Sequence, residues 1–301
     1  MSLKTIILFA LFSVLFLFYP GDSSLFHTFS YHRSLFANQN RAIAYANSPI
    51  PVRNFSPDPA ISAEAAYIVD RNSFTPVFEK NAHKQMYPAS TAKIITALVA
   101  YDIYKTDSTI KITSVLEDGQ VIGLINGEEI TVENLLYGTL VHSGNDAAYA
   151  LAQPIGLPSF VDKMNAKARA LHMNDTYFEN PAGLHNPVQV SSAFDLALAG
   201  RELLNNVYLS KIVSTKEIEI SDTQYRIFHK LVNVNKLLGD IPGVGGLKTG
   251  YTIESGENLV SLYRTPQANE FIIVVLNSLD RFEDTKTIVN WIDSNISFVT
   301  Q

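Results

Sequence analysis

Short apolar runs bounded by turn residues lie near both ends of the chain, and longer runs with helical spacing lie between them. Ala65-Ala66-Tyr67-Ile68-Val69-Asp70 and Pro76-Val77-Phe78-Glu79-Lys80 flank a polar turn at Arg71-Asn72-Ser73, the pattern of a β-hairpin. Leu259–Tyr263 and Glu270–Leu276 predict a second strand pair. The middle predicts helices over Thr91–Tyr104, Thr131–His142, Asp146–Gln153 and Ser192–Leu204. The last is opened by Ser192-Ala193-Phe194-Asp195, which has the form of a capping box. One sheet closed by strands from both chain ends is the simplest way to bracket a helical middle. The expected fold class is therefore α+β: an antiparallel sheet flanked by helices, with a mainly helical subdomain of about 88–204 inserted.

The first residues follow another pattern. After Lys4 comes an uncharged apolar run from Thr5 to Tyr19, which reads as an export signal. A spanning helix needs about 17–25 apolar residues, so residues 1–20 are expected to be a signal peptide or an N-terminal membrane anchor. The nearest small-x-small site, Ala42-Ile43-Ala44, lies far downstream, which favours an anchor with the remainder outside the cytoplasmic membrane. Residues 21–59 show no sustained period and are rich in Ser, Asn and Pro, with scattered Phe26, Phe29, Tyr31 and Phe36. They are expected to form a flexible linker to a folded domain over 60–301.

Composition narrows the chemistry. With 301 residues and 47% apolar content the chain can bury a sizeable core. The formal charge is 23 − 29 = −6 without a dense Lys/Arg cluster, which argues against nucleic-acid partners and a polybasic lipid-binding surface. Cysteine is absent, which removes disulfides, thiolate metal sites and a Cys nucleophile. The seven histidines have no His-x-x-x-His spacing, and Gly-x-Gly-x-x-Gly and Gly-x-Ser-x-Gly are missing, so no metal or cofactor is expected.

Three motifs carry the chemistry. In Ser90-Thr91-Ala92-Lys93, Pro88 stops any earlier helix and Ser90 suits a helix start. The sequel through Ala100 is apolar almost all round, so the helix should be buried. Positions three apart share a face, which brings the Lys93 amine beside the Ser90 hydroxyl, and a lysine in low dielectric loses basicity until it can accept a proton. Ser-x-x-Lys alone is a weak signal. Ser108-Thr109-Ile110-Lys111 also fits it, in an alternating stretch where residues three apart point to opposite faces.

Ser143-Gly144-Asn145 interrupts two helices and offers a hydroxyl and an amide, with Asp146 available to cap the second helix. Lys248-Thr249-Gly250, followed by Tyr251, lies in a glycine-flanked strand. There Lys248 and Thr249 suit a carboxylate, and Gly250 lets a substrate backbone lie against the strand edge. Each motif alone also reads as a helix cap, an inter-helix turn or a glycine-rich strand end. Together and in this order they are the signature of penicillin-binding proteins and class A β-lactamases.

From about Ala63 to Ser294 the chain resembles the low-molecular-mass penicillin-binding proteins, the D-alanyl-D-alanine carboxypeptidases of serine peptidase family S11. The phrases Tyr87–Lys93, His142–Ala148, Asn180-Pro181-Ala182-Gly183-Leu184 and Gly246–Thr252 carry the likeness. The resemblance implies a DD-peptidase/β-lactamase-like fold, peptidoglycan stem peptides as substrate and β-lactams as covalent inhibitors. It implies acylation of Ser90 with Lys93 as base, Ser143 relaying the proton and Asn145 holding the substrate. Lys248, Thr249 and Arg281 would lie at the terminal carboxylate, and the backbone N–H groups of Ser90 and Tyr251 would form the oxyanion hole. Many members carry a further β-rich domain; here the sequence stops at Gln301, so attachment is expected from the N-terminal segment.

Alternatives remain at this stage. A cross-link endopeptidase shares the motifs. A class A-like β-lactamase needs a carboxylate-activated water, for which Glu179 is the candidate, although Gly144 stands where those enzymes carry Asp. A non-catalytic cell-wall or β-lactam-binding module needs only the fold.

Overall fold

The computed structural model describes residues 3–17 and 49–299, with the backbone alone at 15–17. Two compact units divide the chain, Met1–Asn47 and Ser48–Gln301. Within the first, helix α1 (Leu3–Leu17) has 15 residues. At 1.5 Å per residue it is about 22 Å long against a hydrocarbon core of about 30 Å. Among the described residues no helix is long and apolar enough to cross a membrane. The end of the expected signal or anchor segment and residues 21–48 of the expected linker, with their aromatic side chains, lie outside the described residues.

The second unit runs β1 (Ile50–Arg53), β2 (Ala65–Asp70), β3 (Pro76–Lys80), a 3-10 turn (Ala89–Ala92), α2 (Lys93–Ile103), β4 (Thr109–Lys111) and β5 (Glu129–Thr131). Then come α3 (Val132–Leu140), α4 (Asn145–Ala152), α5 (Leu157–Ala170), α6 (Ala193–Asn205), α7 (Val207–Val213), β6 (Glu217–Ser221) and β7 (Phe228–Val232). β8 (Val244–Thr252), β9 (Gly256–Arg264), β10 (Glu270–Ser278), α8 (Arg281–Asn295) and β11 (Ile296–Val299) complete it. The principal sheet has the order β3-β2-β10-β9-β8 and is antiparallel throughout. Both predicted strand pairs are present, and the α+β expectation holds.

The centre of the sheet explains why β10 reads as an unbroken apolar run. Its alternate side chains enter two separate cores. Phe271, Ile273 and Val275 pack with Ile288 and Ile292 of α8. Ile272, Val274 and Leu276 pack on the other face with Ile94 and Leu98 of α2 and with Leu196 and Leu203 of α6. Every residue of α2 from Lys93 to Ala100 is buried, as its all-round apolar character predicts. β8 is left as an edge strand beside the 3-10 turn.

Several local expectations are corrected. The excursion between β3 and β8 does not stop near 204 but continues through α7 and the β6–β7 hairpin. α5 was not predicted because only Phe160, Met164, Asn165 and Ala168 are buried, too narrow a stripe to stand out. Ser192 caps α6 by accepting from Asp195 N at 3.1 Å, yet the reciprocal half of the box is missing. Asp195 is one methylene shorter than the usual Glu, and its carboxylate accepts from Asp175 N and Thr176 Oγ1 instead. Residues 49–59 are docked rather than part of a linker. β1 pairs with β11, Trp291 Nε1 donates to Pro57 O at 2.9 Å, and Arg53 lies 5.0 Å from the Trp291 ring centre.

The entry to the sheet is fixed by one carboxylate. Buried Asp284 accepts from Ser62 N, Ser62 Oγ and Ala63 N, each at 2.8 Å, and from Ser278 Oγ at 2.5 Å. Asp284→Ala strands these donors and is expected to cost about 2–4 kcal/mol. A lowered urea midpoint at unchanged slope checks it; an unchanged midpoint contradicts this account.

Candidate active site

The turn that carries Ser90 is held by its carbonyls. Ala89 has φ +46°, a left-handed conformation that a side chain disfavours. Thr91 Oγ1 donates to Pro88 O at 2.6 Å, and Asn258 Nδ2 donates to Tyr87 O at 2.9 Å and Pro88 O at 3.2 Å. Ser90 was expected at the helix start as a capping residue. It lies instead inside the 3-10 turn, and Pro88 takes the cap position without a side-chain bond. The partly exposed Ser90 hydroxyl is thereby free of capping and meets Lys93.

Lys93 Nζ is fully enclosed, 2.8 Å from Ser90 Oγ, 2.7 Å from Asn145 Oδ1 and 2.8 Å from Ala182 O. Burial lowers its pKa to about 7, with the negative charge of Asp146 opposing the shift. Its three neighbours suit a neutral amine. Two N–H groups donate to the carbonyl oxygens of Asn145 and Ala182, and the lone pair is left to accept from the Ser90 O–H.

Each acceptor is itself built in. The phrase Asn180–Leu184 acquires a structural reason here. Asn180 Oδ1 accepts from the backbone N–H of Ala182, Gly183 and Leu184, folding the loop so that Ala182 O faces Lys93. Gly183 has φ +79°, and a Cβ there would lie 1.8 Å from Ala89 O. Asn145 Nδ2 donates to Asp118 O at 2.9 Å and its N to Gln120 O at 2.7 Å, which fixes the amide so that its oxygen faces Lys93. These partners are backbone carbonyls and cannot be seen in a sequence. Asn180 and Gly183 are sequence signals for one of them, the Ala182 carbonyl.

Ser143 sits buried on the same turn with φ +64°, and among the described residues its hydroxyl makes no hydrogen bond. Asp146 does not cap α4, whose N-cap is Gly144. Its carboxylate accepts from Ile122, Gly123 and Leu124 N, tying down the loop over residues 112–128.

On the opposite side, Gly250 packs closely against the turn that carries Ser90. A Cβ there would lie 3.0 Å from both Pro88 O and Ser90 N, so the glycine serves this internal contact. Lys248 is buried, donates to Thr249 O at 2.9 Å and lies 3.5 Å from Thr249 Oγ1. Burial drives its pKa well down, and the positive charges of Lys93 and Arg281 add to this. Arg281, at the start of α8, is largely enclosed; Nη1 donates to Gly250 O at 2.7 Å and Nε lies 3.9 Å from Glu257 Oε2. Among the described residues no carboxylate forms an ion pair with Lys248, and Tyr251 is exposed at the strand end. Glu179, the alternative water-activating group, has no hydrogen bond or ion pair to any of these residues among those described, and no cluster of three His, Cys, Asp or Glu side chains forms.

A serine hydroxyl beside a buried amine at an edge strand invites comparison with known proteins. The profile of peptidase family S11, described as D-alanyl-D-alanine carboxypeptidase, matches residues 52–279. The chain belongs to that family. It is 37% identical over 205 residues to the D-alanyl-D-alanine carboxypeptidase DacF of Bacillus subtilis, covering 65% of this chain and 52% of the relative. It is 30% identical over 285 residues to DacD of Escherichia coli, covering 86% of this chain and 70% of the relative. The Streptomyces K15 DD-transpeptidase superimposes with a TM-score of 0.73 at 29% identity, over 78% of this chain and 98% of that structure. The chain thus spans about half the length of the Bacillus relative and nearly all of the Streptomyces structure.

Two outcomes follow for this S11 member. Gly183→Ala forces a Cβ into the Ala89 carbonyl and is expected to cost about 2–4 kcal/mol, read as a lowered unfolding midpoint. The neutral fraction of Lys93 grows with pH, so the reactivity of Ser90 should rise about tenfold per pH unit below a midpoint near 7 and gain nothing further from this cause above it. Acylation rates measured from pH 5 to 9 check this; a rate flat across that midpoint contradicts the base assignment.

Proposed function

We propose that this S11 member is a serine-type carboxypeptidase that removes the terminal D-alanine from peptidoglycan stem peptides through an acyl-enzyme on Ser90. The observation that carries the reading is the enclosed Lys93 amine, 2.8 Å from Ser90 Oγ, with its other donors directed to carbonyl oxygens. Ser90 Oγ attacks the carbonyl of the penultimate D-alanine while its proton passes to Lys93 Nζ. The oxyanion is received by the backbone N–H groups of Ser90 and Tyr251. The proton then reaches the leaving amine by way of Ser143, whose hydroxyl is uncommitted, and water hydrolyses the ester.

Buried Lys248, which has no carboxylate partner among the described residues, and Arg281 at Gly250 of the same strand support a carboxylate subsite, to which Thr249 adds a hydroxyl. Arg281 acts here partly through the Gly250 carbonyl that it holds. Asn145 contributes its amide at the base. The apolar N-terminal segment, as export signal or anchor, would place the folded unit outside the cytoplasmic membrane, where stem peptides lie, and β-lactams would be trapped on Ser90 as covalent inhibitors.

The test is an intact-mass time course of the purified protein with a penicillin, beside Ser90→Ala, followed by assay of D-alanine release from a peptide ending in D-Ala-D-Ala. A persistent adduct of one penicillin per chain is expected, with acylation reduced by about 10⁴-fold or more in the variant. Hydrolysed penicillin in excess of enzyme would make the protein a β-lactamase, and no adduct would make it a non-catalytic module.

A further inference from the structure

The loop over residues 112–128 has no regular secondary structure, although it supplies both carbonyls that hold Asn145. Some of its amides bond to its own carbonyls, and others are satisfied by side chains. Asp146 takes three of them, and Glu128 Oε2 takes Ile125 N at 3.1 Å. A third fastening comes from β7. His229 lies with Nε2 2.9 Å from Glu128 Oε1 and Nδ1 3.1 Å from Ile122 O, and its side chain is 4% exposed while that of Glu128 is 0%.

Both ring nitrogens therefore face oxygens that have no proton to give. A neutral imidazole has one N–H and would set a lone pair against one of them; only the imidazolium satisfies both. The charged groups facing the ring are Glu128 and, from α4, Asp146. Across the hairpin β6 presents Ile220, and Lys230 next along β7 is exposed. The hydrogen bond to Glu128 raises the pKa of His229 against the opposing effect of burial.

We propose that His229, held as an imidazolium between Glu128 and the Ile122 carbonyl, is a positioning residue for acylation: it clamps the loop that orients Asn145, and through Asn145 the Lys93 amine. Because the clamp exists only while His229 is protonated, it is present at low pH and lost as pH rises through the raised pKa. The other histidine touching this loop is His142, whose Nε2 lies 2.8 Å from Gln120 Nε2; replacing Glu128 distinguishes the two.

The inference rests on the proposed acylation of Ser90 for one arm of its test and stands apart from it in the other. In the full-length protein at pH 6, nitrogen-15 NMR should show two N–H protons on His229; a single one overturns the proposal. E128Q and H229Q, each checked for native circular dichroism, should speed amide exchange at Ile122–Ile125 and Asn145 by about tenfold and slow penicillin acylation by about tenfold. The wild-type acylation profile should fall again at alkaline pH, with that fall moved to lower pH in E128Q and absent in H229Q. Unchanged exchange, or faster exchange with an unaltered acylation profile, overturns the positioning role. A wild-type protein that is never acylated sinks the proposed function instead, and the NMR and exchange readings still decide the state of His229 and its hold on the loop.

Discussion

An amine enclosed among neutral groups sets the terms for the rest of this structure. Among the described residues Lys93 has no carboxylate in contact, and placing a full positive charge there would cost several kcal/mol of lost hydration. The cheaper state is the neutral amine, which still needs two acceptors and one donor. No single element supplies them. They come from the turn that carries Ser90, the turn after α3 and the loop before α6, so the position of the Lys93 amine requires three segments distant in sequence to close on one atom.

That closure is accompanied by an unusual backbone position in each of the three segments. Ala89, Ser143 and Gly183 all have positive φ, and all three lie in these segments. For the two non-glycine residues the conformation costs about 1–2 kcal/mol each. Hydrogen bonds to Pro88 O hold the first, and the second precedes the tightly fastened Asn145. At Gly183 the limit is contact rather than torsion alone, since the chain passes so close to Ala89 that no Cβ fits. Gly250 makes a milder version of this contact from the other side of the turn, where a Cβ would lie 3.0 Å from Pro88 O and Ser90 N. Two glycines thus let a loop and a strand grip the same few atoms around Ser90.

The legible part of the fold follows from these demands. Strand pairs at both chain ends and the buried α2 announce themselves because apolar periodicity is dense there. α5 and α7 do not, because one carries a narrow stripe and the other is short. Ser90, Lys93 and Asn145 were legible from spacing, and the structure brings them into direct contact. The carbonyls of Asp118, Gln120 and Ala182 were not, because a peptide oxygen has no letter. Ser90 and Asp146 were both assigned capping roles from local preference, and tertiary partners displaced that preference in each case: Lys93 for one hydroxyl, three loop amides for the other carboxylate.

The fate of Asp146 bears directly on the base. It follows Asn145 in the chain, and its charge works to keep Lys93 protonated. A carboxylate in contact with the amine would form an ion pair and leave no lone pair for the Ser90 proton. Here both oxygens are turned away and occupied, Oδ1 by Ile122 N and Ala147 N, Oδ2 by Gly123 N and Leu124 N. The amide dipoles spread the negative charge, and burial remains the larger influence on Lys93. The acid that could have disabled the base is thus spent on fastening the loop that aims it, so the same hydrogen bonds that order residues 122–124 also keep the lysine available as a proton acceptor.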